Sequence, residues 1–146
     1  MKKRILSYLL AAALLLCACW PAAAATGDGN IAQPYYNNTD SSKVTFTISS
    51  NGTATVSLRC VGVSGVTTSI EAVTRIERQL LTNVWTKVDI GTENKEWVDS
   101  TSSYRLLASH SVKLSQTGTY RAVTTFTIRG TGGSPDVIVH RVTATY

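Results

Sequence analysis

Residues 43–60 read Lys43-Val44-Thr45-Phe46-Thr47-Ile48-Ser49-Ser50-Asn51-Gly52-Thr53-Ala54-Thr55-Val56-Ser57-Leu58-Arg59-Cys60. Val44, Phe46 and Ile48 alternate with hydroxyl side chains, and Ala54, Val56, Leu58 and Cys60 alternate with Thr55, Ser57 and Arg59. An apolar period of two is the pattern of a strand with one buried face. The intervening Asn51-Gly52 is a hairpin signal, because both residues tolerate the positive φ that tight turns demand. Two amphipathic strands joined by such a turn set an all-β reading, and the rest of the chain extends it.

Downstream, Gly62, Ser64 and Gly65 interrupt the second strand. Ile70, Ala72, Thr74, Ile76, Arg78 and Leu80 then form one face of a long third strand. Thr82-Asn83 turns the chain, and Val84, Thr86, Val88 and Ile90 give the next inward phase, with Trp85, Lys87 and Asp89 outward. Gly91 to Asp99 reads as a polar, acidic connection that contains Trp97. Tyr104, Leu106, Ala108, His110, Val112 and Leu114 share a phase, as do Tyr120, Ala122, Thr124, Phe126 and Ile128. A glycine-rich tip over residues 130–135 leads to Ile138, His140, Val142, Ala144 and Tyr146. No window keeps a helical period. About seven strands with regular turn signals predict an antiparallel two-sheet sandwich, and a small barrel would give similar alternation.

Upstream, Lys2, Lys3 and Arg4 precede an apolar run from Ile5 to Ala18, and Pro21 then leads into Ala22 to Ala25. A basic start, a short apolar stretch and a small-residue end make a secretory signal peptide, with cleavage expected after Ala25. The run is shorter than the roughly 20 residues a bilayer span needs. Leu16-Cys17-Ala18-Cys19 also partly resembles a bacterial lipobox, in which Cys19 would carry lipid; either way the domain lies outside the cytoplasm. The organisation expected is signal peptide over 1–25, a flexible polar lead-in over 26–42 with Tyr35 and Tyr36 tucked against the domain, and a sandwich over 43–146.

Composition narrows the function classes. The 146 residues are 43% hydrophobic and 16% charged, too apolar for disorder, and ten glycines without a period exclude a collagen. The formal charge is +5, but three of the 14 cations lie in the leader; 11 then face 9 acids, a net of +2. A nucleic-acid partner loses its main support at that charge. Three cysteines cannot build a disulfide framework, and only Cys60 survives simple secretion.

Leu114, Gly118, Tyr120 and Ala122 stand in the order Leu-x-x-x-Gly-x-Tyr-x-Ala. This resembles the tyrosine corner of immunoglobulin-like sandwiches, in which the Tyr hydroxyl bonds back to the backbone. The antibody Cys two residues later is Ala122 here, and the core Trp after Cys60 is missing. Further runs, Gly62 to Ile70, Ile76 to Leu80, Asn83 to Val88 and Gly118 to Ala122, resemble a family of small secreted proteins of Gram-positive, clostridial-type gut bacteria without assigned function. That resemblance implies a secreted sandwich and brings no active site.

Candidate sites follow from residue type. Cys60 lies in phase with Val56 and Leu58 and reads as a core side chain. His110 and His140 fall on inward phases without the spacing of a metal motif. Asp89, Glu93, Glu96 and Asp99 share one connection and are the weak calcium candidates. Trp85 points outward, where an aromatic ring needs cover or a ligand. Trp85, Trp97, Arg75 and Lys87 are the expected contacts, and Tyr120 and Cys60 the structural residues. No cofactor is implied. The sequence therefore predicts an exported, non-enzymatic module that binds a protein or glycan. The alternatives are an assembly subunit pairing through strand edges and, with less support, a small hydrolase using the acids or the histidines.

Overall fold

The computed structural model describes residues 35–146. The expected cleavage site at Ala25 and the lipidation candidate Cys19 lie outside the described residues. Eight strands form: β1 (Thr39–Ile48), β2 (Thr53–Gly62), β3 (Thr67–Leu81), β4 (Val84–Lys87), β5 (Trp97–Thr101), β6 (Arg105–Lys113), β7 (Thr119–Gly130) and β8 (Asp136–Thr145). All pairings are antiparallel. One sheet has the order β1-β2-β6, and the other has the order β4-β3-β7-β8 with β5 also on β3. The chain is thus an all-β, two-sheet antiparallel sandwich. No helix among the described residues is long and apolar enough to cross a membrane.

The expected inward phases supply the core. Val44 and Phe46 of β1, Val56, Leu58 and Cys60 of β2, Ile70 and Ile76 of β3, and Phe126 and Ile128 of β7 are all buried. The central strands β2, β3 and β7 have neighbours on both edges, so their inward residues are sealed. Ile138, Val142 and Ala144 on the edge strand β8 are only partly buried against the same core. Thr74 and Thr124 lie in register in the five-stranded sheet, both fully buried, and their hydroxyls satisfy each other at 2.9 Å.

Three local features differ from expectation. Residues 97–101 form an extra strand, β5, which occupies the same edge of β3 as β4 but opposite Ile70–Thr74. The last third of the predicted acidic connection, residues 97–99, is therefore paired backbone. The β3–β4 hairpin has a register shift between Gln79 and Leu81, and β3 ends its pairing with β7 at Arg78 opposite Tyr120. Leu80 and Val84 lie beyond that point and Thr86 stands opposite Arg78 on the short strand β4, so all three, expected inward, are exposed. Finally, β1 begins at Thr39, inside the stretch expected to be a lead-in, while Tyr35 is exposed instead of tucked in.

Asn38 explains the early start. It is fully buried, and all its polar groups are used. Its amide N–H donates to Asp136 Oδ2 at 2.8 Å, and its carbonyl accepts from Val63 N–H and from Thr67 Oγ1. Its side chain donates to the Ser134 carbonyl and accepts from Gly132 N–H. Asp136 takes a further bond from Thr39 Oγ1 at 2.8 Å. Gly130 is required beside this hub, since a Cβ there would collide with the Val66 carbonyl oxygen and Asn38 Oδ1.

Candidate functional site

The outward phases of β3, β4 and β7 build the most distinctive surface. Glu77 lies opposite Lys87 on one side and Arg121 on the other. Arg75 Nε donates to Glu77 Oε1 at 2.7 Å, and Arg121 Nε donates to Glu77 Oε2 at 2.6 Å. Glu77 is buried although it stands on the outward phase, because both long arginines lie over it. Burial alone would raise its carboxyl pKa, but the hydrogen bonds and charges of Arg75 and Arg121 outweigh it and hold the group below its ordinary value. Val123, in register with Arg75 and Arg141, is only 1% exposed for the same reason: it lies under the long side chains of that face.

Trp85 stands next to this cluster. Its Cα partner is Gln79, which confirms the outward phase, and the Arg121 guanidinium carbon sits 4.1 Å from its ring centroid. Cation–π stacking of this kind holds the ring flat against the sheet. Lys87 pairs with Glu96 at 2.7 Å. Beyond Trp85 the hairpin tip exposes apolar side chains on both of its faces: Leu81 at 71%, Leu80 at 54% and Val84 at 47%. Alternation alone places Leu80 and Val84 inward and gives Leu81 no role, so none of the three was expected on a surface. The signal available was the turn at Thr82-Asn83, which brings Leu80, Leu81 and Val84 together at a hairpin end.

Trp97 does not join this surface. It pairs with the buried Thr74, faces the interior edge and stacks on His110, with ring centroids 4.7 Å apart and planes 12° from parallel. Of the four expected contacts the fold unites Arg75 and Trp85 through Glu77 and Arg121, keeps Lys87 on the flank, and removes Trp97 to the seam between the sheets.

The acids of the predicted calcium group also go separate ways. Asp89 Oδ1 accepts from Gly91 N–H, Glu96 binds Lys87, and Asp99 Oδ2 binds His110 Nε2 at 2.8 Å, while Glu93 is exposed. Each of the three bonded acids has a local partner, and no metal-sized group of ligands exists among the described residues. The two histidines are equally apart. His110 on β6 reaches Asp99 on β5, and His140 on β8 reaches Ser42 Oγ on β1 at 2.8 Å. Each therefore bridges one lateral seam of the sandwich, at opposite edges. Cys60 is fully buried, and burial pushes its thiol up to about 11, which leaves it protonated and unreactive at neutral pH.

His140 carries a prediction. Its ring meets the edge of Phe126 with centroids 5.8 Å apart, and burial lowers its pKa from the ordinary 6.5. The unfolded chain therefore binds a proton more readily than the native one as pH falls below that value. Stability contributed by the neutral ring is full above it and is lost as pH drops from there towards the lowered native value. The urea midpoint of the wild type should fall between about pH 7.5 and about pH 5, and His140→Gln should show a smaller fall.

No protein-family model matches the chain, and neither a curated protein nor a solved structure matches it.

Proposed function

We propose that the chain is an exported, non-enzymatic, immunoglobulin-like sandwich that recognises a protein or glycan at the cell surface or in the medium. The observation that carries this reading is Trp85: a half-exposed indole held by Arg121 on a rigid sheet, beside an exposed apolar hairpin tip. Rigid aromatic anchors with an apolar neighbourhood are the usual centres of recognition surfaces. The immunoglobulin-like assignment is supported by the strand order and by Tyr120, whose hydroxyl donates to the Gln116 carbonyl at 2.5 Å across the β6–β7 connection. Export is supported by the leader-like residues 1–25 and by the resemblance to secreted proteins of Gram-positive bacteria. The separation of the four acids and of the two histidines favours binding over hydrolysis.

The test is Trp85→Ala, with Leu81→Ser as a second variant. Both should lose capture of a partner recovered from native culture by the wild-type protein, at about tenfold or more in affinity, while retaining the wild-type unfolding transition. Undiminished capture by both well-folded variants would refute the assignment of the site. One observation favours an assembly role as a second reading: among the described residues β8 pairs only with β7, and the strand carries the exposed Val137 and Val139. A concentration-dependent increase in mass in sedimentation equilibrium, abolished by Val139→Lys, would select that reading.

A further inference from the structure

The outward face of the three-stranded sheet has a separate chemistry. Two lateral rows consist wholly of hydroxyl side chains: Thr47, Thr55 and Ser111 in one, Thr45, Ser57 and Ser109 in the next. Thr55 and Ser111 hydrogen-bond at 2.9 Å, and Ser57 and Ser109 at 3.1 Å. Such pairs leave each row with hydroxyl donors and acceptors still directed at solvent. Strand spacing sets these groups on a grid of roughly 5 Å by 7 Å.

Next to the grid the charges are of one sign. Lys43 lies directly opposite Arg59, and Arg105 follows diagonally, two residues before Leu107, which is itself opposite Arg59. Among the described residues no acid ion-pairs with any of the three. The only acid in β1, β2 and β6 is Asp40, in the bulge at the start of β1. Like charges placed opposite one another on a sheet are unfavourable, and one acid in either position would relieve them. Arg59 also stands between two concavities. One of about 260 Å³ is shared with Val61, Arg105 and Leu107; the other, of about 400 Å³, is shared with Ser41, Ser42 and Lys43. Leu107, 74% exposed, adds one aliphatic contact.

We propose that this face binds an anionic glycan, a saccharide chain bearing carboxylate or phosphate groups. Arg59, with Lys43 and Arg105, takes the anionic group in the concavities. The hydroxyl rows exchange hydrogen bonds with sugar hydroxyls, for which groups that both donate and accept are suited. A lipid headgroup accounts for the cations but leaves the two hydroxyl rows without a role. This surface lies on the other sheet from Trp85 and does not depend on the reading given above.

The experiment uses the purified wild-type protein with polygalacturonate as the carboxylate-bearing probe. Uncharged dextran, inorganic polyphosphate and phosphatidylglycerol vesicles are run alongside. The wild type should bind polygalacturonate with an affinity that falls as salt rises, and should not bind dextran. Arg59→Glu should weaken binding by about tenfold or more and Arg59→Gln by less. Thr45→Val with Ser109→Ala should weaken binding to polygalacturonate several-fold and leave polyphosphate unaffected. Arg59, Thr45 and Ser109 are all exposed on a regular sheet, and an unchanged unfolding transition verifies each variant. Absence of binding to polygalacturonate at low salt would overturn the proposal. So would polyphosphate or vesicle binding as tight as polygalacturonate binding with no effect of the hydroxyl variant, because the face would then attract anions without reading sugar.

Discussion

Phe126→Ala should lower the free energy of unfolding by about 3–5 kcal/mol, the range for an aromatic side chain removed from a close-packed core. Phe126 is fully buried at the middle of β7, opposite Ala72 on β3 and Ile138 on β8. Ala72 is too small to fill the space, and Ile138 comes from an edge strand, so collapse of the cavity is limited by the sheet backbone itself. His140, which meets the ring edge, would also lose the contact that covers it. Phe126→Leu keeps most of the volume and should cost less than about 1.5 kcal/mol. Urea unfolding of both variants checks the pair. Equal losses would mean that the ring is not packed as described.

Asp136→Ala should cost about 2–4 kcal/mol, since it leaves buried donors without an acceptor. The carboxylate receives Asn38 N–H and Thr39 Oγ1, both at 2.8 Å, and both residues are buried. Alanine offers neither bond and admits no obvious replacement. Asp136→Asn keeps one oxygen and should recover part of the loss. Amide hydrogen exchange separates a local from a global effect. Asn38 and Val63 amides should exchange much faster in Asp136→Ala, while Val56 and Ile76 amides should follow the global stability alone. Unchanged protection at Asn38 would contradict the bonding described.

Period-two alternation made most of the sandwich legible, because each inward phase is decided by neighbours on the same strand. Val44 to Ile48, Ala54 to Cys60 and Ile70 to Ile76 needed no tertiary information. Tyr120 was legible because its acceptor lies four residues back. What failed depended on contacts distant in sequence. Glu77 is buried by an arginine from β7, and no pattern within β3 signals that. Residues 97–101 look polar and loop-like, yet an open edge of β3 recruits them as a strand. Leu80 and Val84 follow the inward phase, but the phase has meaning only where a second sheet lies across from it. Of the proposed recognition surface, Trp85 and Arg75 could be read from alternation, whereas the partition of Trp97 to the seam and the one-sign face of the other sheet required the register.

The Asn38 hub joins residues 98 positions apart in the chain, since its amide is fastened by Asp136. Synthesis delivers a chain from its N-terminal end, so β1 emerges long before the acceptor that anchors it. The cost of closing so long a loop is met only once β7 and β8 are present to receive the N-terminal segment. The domain is accordingly expected to fold late and in one step, on the slow timescale of non-local β pairing. In the export proposed above, a chain that stays unlatched until its last strands arrive would pass a narrow translocation pore without first being pulled apart.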